Sequence, residues 1–106
     1  MASKSEPRIE LDLNAPTFQR EFLDLDKTQL VRVAKALRKL LGMQWTLFEH
    51  HPGFRWEALP QLPKAPNGKQ MHSLRLSQKY RALAYRDGAL LRVLSLHLDH
   101  DSAYEQ

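Results

Sequence analysis

With 106 residues, 42% of them hydrophobic and 26% charged, the chain has the composition of one globular domain with a single modest core, neither disordered nor long enough for two. Sixteen Lys and Arg against twelve Asp and Glu give a formal charge of +4 and a pI near 9.6, which favours anionic partners such as nucleic acid or an acidic protein. Cysteine is absent, which excludes disulfides, Cys-based zinc sites and a thiol nucleophile; with no signal-peptide core at Met1–Arg8 and no run of membrane-spanning length, a cytoplasmic protein without membrane contact is expected.

Residues 1–7 are polar and expected to fray. Ile9, Leu11 and Leu13 alternate with Glu10 and Asp12, the period of a half-buried strand, and Asn14-Ala15-Pro16 ends it. A short helix is expected over Thr17–Leu25, with Thr17 as its cap and Phe18, Phe22 and Leu25 facing inward. The strongest helical pattern spans Lys27–Leu41. Asp26 is placed to cap it, Gln29 stands where a capping-box partner belongs, and Gly42 follows its end. Leu30, Val33, Ala34, Leu37, Leu40 and Leu41 form its apolar stripe, with Arg32, Lys35, Arg38 and Lys39 mostly opposite. That basic face reads either as a solvated helix surface or as a contact for RNA phosphates or an acidic partner.

Met43–His50 reads as a further short helical or irregular segment, and Trp45 and Trp56 as fillers of the helix–sheet core. Phe54–Leu59 alternates as a second strand, and Pro60–Lys69, with three prolines and Asn-Gly, is a loop. Three strands follow at Gln70–Leu76, Lys79–Arg86 and Ala89–His97, the last two joined by Asp87-Gly88, a strong hairpin signal. The expected fold is α+β: an N-terminal strand and helical hairpin packed on a curved four-strand antiparallel meander, in one domain covering residues 1–106.

The last third carries the chemistry. From Arg75 to Arg92 the bases are Arg75, Lys79, Arg81, Arg86 and Arg92, against the single acid Asp87, and the segment exits through His97, His100 and Tyr104. Cutting RNA without a metal requires a base for the ribose 2′-OH, cations for the charge gathering on phosphate, and an acid for the leaving 5′-oxygen. Histidine serves either proton role and arginine offers a rigid fork to phosphate. Arg75 and Arg81 are assigned to phosphate and transition-state charge, with Lys79 and Arg92 as lesser phosphate contacts. The alternation of a strand puts Arg81 on one face with Lys79, Leu83 and Tyr85. As a purely structural residue, Arg81 would instead snorkel to water or pair with Glu57 or Asp87, and Arg86 and Arg92 suit solvated strand positions.

His100 is the candidate general acid or base and His97 its competitor; as plain residues both would belong to a polar surface. Asp99 and Asp101 favour the charged form of His100, which suits an acid. Tyr104 is placed to stack on a base or orient the attacking hydroxyl, or simply to pin the tail to the core. Tyr80 and Tyr85 read as packing residues. His72 lies on a strand expected to line the cleft, as an assistant or as a structural histidine. His50 and His51 are given no role. His97-x-Asp99-His100 fits no strong metal-ligand pattern, so no metal and no cofactor is expected.

The run Leu74-Arg75-Leu76, Lys79-Tyr80-Arg81-Ala82-Leu83-Ala84-Tyr85, Asp87-Gly88, the strand Leu90–Leu96 and the ending His97–Tyr104 resembles the RelE/ParE superfamily of bacterial type II toxin–antitoxin toxins. The resemblance extends over nearly the whole chain. It implies a toxin domain silenced by a cognate acidic antitoxin. In the RelE branch the target is mRNA, usually cut in the ribosomal A site; in the ParE branch it is DNA gyrase, which is poisoned without catalysis. Many RelE-like toxins carry a second Arg just ahead of the closing tyrosine, where this chain has His100 between Asp99 and Asp101. That departure favours the histidine-using chemistry of HigB-like and YoeB-like toxins. The leading reading is therefore an mRNA endoribonuclease inhibiting translation. The alternatives are a gyrase poison and a non-catalytic RNA- or partner-binding module of the same fold.

Overall fold

In a computed structural model of the chain, which describes residues 6–99, the alternation after Arg8 becomes a short strand, β1 (Glu10–Asp12). Glu6 and Pro7, expected to fray, are held instead: the Pro7 carbonyl accepts from the Trp45 N–H at 3.0 Å and Glu6 from the Thr46 hydroxyl at 3.2 Å. The first helix, α1 (Pro16–Leu23), starts one residue before the expected cap. Pro16 occupies its first turn, where a missing N–H and a fixed φ do no harm, and Ala15, not Thr17, is the flanking residue. Phe18 is buried, with Phe22 and Leu25 packed beside it.

The second helix, α2 (Lys27–Leu40), is capped as its sequence suggests, Asp26 Oδ1 accepting from the Gln29 N–H at 2.9 Å. The capping box does not close. The Gln29 side chain turns to the Ser77 hydroxyl at 3.0 Å, tying the helix start to the turn before the central strand. Gln29, Val33, Leu37 and Leu40 are the buried face, while Ala34 is exposed and Leu41 lies beyond the helix with its side chain out. Gly42 adopts φ +86°, a region costly for residues with a Cβ, and its N–H reaches the Ile9 carbonyl at 2.9 Å. A third helix, α3 (Trp45–Glu49), buries Trp45 and Phe48; the Trp45 indole N–H is satisfied by the Ala89 carbonyl at 3.0 Å.

The segment 54–59 yields only a two-residue strand, β2 (Glu57–Ala58), because Arg55 sits at φ +50° and breaks the extended path behind Phe54. Three strands follow: β3 (His72–Arg75), β4 (Tyr80–Asp87) and β5 (Leu90–Leu98). The sheet has five strands in the order β1-β5-β4-β3-β2, with β1 parallel to β5 and the other pairs antiparallel. The N-terminal strand thus joins the meander's edge instead of packing on it. The β4–β5 turn centres on Gly88 and Ala89, since Asp87 already pairs with Leu90; Gly88 at φ +64° supplies the conformation that a two-residue hairpin needs there.

The core lies between the helices and one face of the sheet: Val33, Leu37 and Leu40 from α2 and Trp45 and Phe48 from α3 meet Leu74, Ala82, Ala84, Leu91, Val93 and Leu96. A bulge shapes β5. Leu83 pairs with Ser95 but Ala84 with Val93, so Leu94 is an extra residue. Strict alternation would put His97 on the same face as buried Val93. The bulge resets the phase, so Leu96 enters the core with Val93 while Ser95 and His97 turn to the opposite face. Among the described residues no helix is long and apolar enough to cross a membrane.

Candidate functional site

On the sheet face away from the helices, register does what the sequence alone left open. Arg75 of β3 lies directly opposite Arg81 of β4, and Arg81 directly opposite His97 of β5. Residues opposite one another share a face, so two guanidinium groups and an imidazole form one row across three adjacent strands. Beside it runs a second row, Ser73, Leu83 and Ser95, with Glu57 of β2 opposite Ser73.

Asp99 closes the row. Arg75 donates from Nε at 3.1 Å and Nη2 at 2.7 Å to Asp99 Oδ2, while Arg81 Nη1 stands 3.9 Å from Oδ1. The Asp99 N–H donates to the Lys79 carbonyl at 2.7 Å, which fixes where the chain leaves β5. Arg81 Nη2 also donates to Ser73 Oγ at 2.5 Å and to Glu57 Oε1 at 3.3 Å. The Asp99 side chain is 6% exposed, against 26% for Arg75 and 20% for Arg81, so the carboxylate is sunk between two half-open cations. Of the two pairings open to Arg81, the one with Glu57 is formed; Asp87 belongs to Arg92. His97 is exposed, and its Nε2 shares a 2.8 Å hydrogen bond with Ser95 Oγ.

The remaining expected site residues fall elsewhere. His100 and Tyr104 lie outside the described residues. Lys79 is exposed in the turn before β4 and adds its backbone, not a strand side chain, to the cluster. Arg92 sits five residues before His97, roughly 16 Å along the strand, and is not in the row. Its Nε donates to Asp87 at 2.9 Å and its Nη1 to Asp12, so its phosphate role has no support from position or free charge. The Asp87 contact first, then Asp12, raises the Arg92 pKa, against some desolvation. Asp12 is held below its usual range chiefly by the Asn14 N–H at 2.9 Å, then by Arg92, with burial opposing. Arg86 faces the helices, stacked 4.3 Å over the Trp45 ring and paired with Glu49 at 3.2 Å. His72 belongs to the core-side face, its ring parallel to Trp56 at 4.1 Å, so it does not assist at the arginine row. Tyr80 and Tyr85 pack as expected.

Among the described residues no group of three or more His, Asp or Glu side chains could hold a metal ion. Sequence reasoning missed Ser73 as the seat of Arg81, and treated Asp99 only as a neighbour of His100. The signal for Ser73 is its place two residues before Arg75 on a strand, which puts both on one face.

No protein-family model matches this chain, and no curated protein does. A solved structure with a similar chain course is a copper-bound mutant toxin from Helicobacter pylori, 19% identical, with a TM-score of 0.44, covering 89% of this chain and 96% of that one.

Proposed function

We propose that this chain is the toxin of a type II toxin–antitoxin system and acts as a metal-independent mRNA endoribonuclease, on ribosome-bound mRNA, to inhibit translation. The observation that carries this reading is the row Arg75–Arg81–His97 on three neighbouring strands. A phosphodiester laid across it would meet two forked cations and a proton carrier at once. In the reaction the ribose 2′-oxygen bonds to phosphorus as its proton passes to a base. The bond from phosphorus to the 5′-oxygen breaks, and an acid protonates that oxygen. The products are a 2′,3′-cyclic phosphate and a 5′-hydroxyl. Arg75 and Arg81 hold the phosphate oxygens as charge builds. His97 and His100 divide the proton work; His100 directly follows Asp99, which both arginines hold. Tyr104 is assigned to the attacking ribose or its base, and a cognate acidic antitoxin would silence the toxin by covering the basic row.

The pairing of both arginines with carboxylates favours a second reading, a non-catalytic RNA- or partner-binding module in which the row is a structural ion-pair network. Expression in bacteria separates the two. The endoribonuclease reading expects growth arrest with loss of full-length mRNA, relieved by Arg81→Ala with His100→Ala. Wild-type cleavage in that double variant removes the site assignment, and growth arrest with a DNA-damage response but intact mRNA moves the chain to the gyrase-poison class.

A further inference from the structure

A cavity of about 430 Å³ lies between α2 and the turn joining β3 to β4, lined by Lys35 and Lys39 from α2, His51 and Phe54 from the following loop, and Arg75 and Ser77 from the sheet side. Among the described residues its lining contains no carboxylate. Helix α2 carries five Lys or Arg residues and no acid, and Lys35 and Lys39 are one turn apart, where like charges repel. Neither lysine makes an ion pair among the described residues. Lys39 Nζ stands 5.8 Å above the Phe54 ring, and both residues line the cavity. The His51 Nδ1 accepts the Gly53 N–H at 3.0 Å, so its Nε2 carries the proton and is a donor. The walls are fixed to each other by the Ser77–Gln29 hydrogen bond at 3.0 Å. Donors and cations from three parts of the chain therefore converge on one preformed space, and the repulsion between Lys35 and Lys39 has no carboxylate partner among the described residues.

We infer that this cavity is a second oxyanion site, seating a backbone phosphate of single-stranded RNA a short step from the phosphate held at Arg75 and Arg81. The inference rests on the RNA reading above and extends it. Arg75 is common to both places: it lines this cavity, and its guanidinium reaches Asp99. RNA would pass from the sheet face around the β3 edge, past the point where two-residue β2 stops, onto the basic face of α2. Phosphate contacts of this kind position the strand without reading bases, so the site confers affinity and direction, not sequence preference.

The test is equilibrium binding of a fully 2′-O-methylated single-stranded RNA, roughly ten nucleotides long to fill a usual site size, measured across a salt series. The ligand cannot be cut, so binding is scored apart from cleavage. Lys35→Gln with Lys39→Gln changes two exposed side chains to good helix formers and preserves the fold. The log–log salt slope should fall by about 0.7, the share of one phosphate contact on a single strand. An unchanged slope overturns the inference, as does failure of the wild-type chain to bind this RNA. Loss of binding to an acidic protein with the RNA slope intact also overturns it and makes the surface a protein contact. If the slope falls as expected while wild-type protein cuts no mRNA, the cavity stands and the nuclease reading alone fails.

Discussion

Arg75 and Arg81 reach the same carboxylate from neighbouring strands, and this shared bond decides how the row behaves without a ligand. Two guanidinium groups on adjacent strands repel; Asp99 and Glu57 match their charge and hold the forks in one place. A phosphodiester carries the same charge as the Asp99 carboxylate and likewise shares it over two oxygens, so it can replace that carboxylate without reorganising the arginines. Arg92 shows the contrasting case, a cation between Asp12 and Asp87 whose work is structural. Its partner Asp12 has a folded pKa below the ordinary 3.8, so the stability it contributes is present above that value and is lost as pH falls through the folded one. Asp12→Asn should therefore lower the unfolding midpoint at pH 7 by less than about 5 °C, the size of an exposed pair, and by progressively less below pH about 4. Thermal scans of both proteins across pH check this; a constant difference would show that Asp12 acts by packing and not by charge.

At the level of elements, most of the fold was legible in residue pattern. The Asp26 cap, the glycine of the hairpin and the positions of the last two strands all reflect local chemistry, and local chemistry does not depend on distant contacts. The misses have physical reasons. Thr17 lost its place as cap because the helix already begins at Pro16, whose fixed φ suits the first turn, so Thr17 lies inside it. The strand after Phe54 shrank because Arg55 takes a left-handed backbone that no residue pattern announces. The bulge at Leu94 was hidden for a similar reason: Leu94, Leu96 and Leu98 alternate perfectly in sequence, yet the core accepts Val93 and Leu96. The bulge also places His97 beside Arg81, so one inserted residue joins packing to the site. Deleting Leu94 leaves Val93, Ser95, Leu96 and His97 in plain alternation with Val93 and Leu96 still inward, so it should cost no more than about 1 kcal/mol, whereas inserting one residue after Leu94 should turn Leu96 outward and His97 inward and cost about 3 kcal/mol or more. Denaturant unfolding of the two variants measures the difference. Equal costs would mean that β5 can slide its register freely.

Across the whole molecule, the helices take one face of the sheet and leave the other to Arg75, Arg81, His97 and Asp99. The net charge of +4 pointed to an anionic partner, but not to where it would bind. Placement comes from register, and register is a non-local property set by the hairpin at Gly88, the bulge at Leu94 and the tie between Gln29 and Ser77. That is why Arg75 and Arg81 could be named as candidates from sequence, while their shared row, Ser73 and the basic cavity beside α2 could not. A crystal structure of the full chain with a 2′-O-methylated RNA tests the central claim most directly. The account predicts a backbone phosphate within about 3 Å of both the Arg75 and Arg81 guanidinium groups, with Asp99 displaced from at least one of them. RNA bound on another face, with Asp99 still bridging the two arginines, would contradict it.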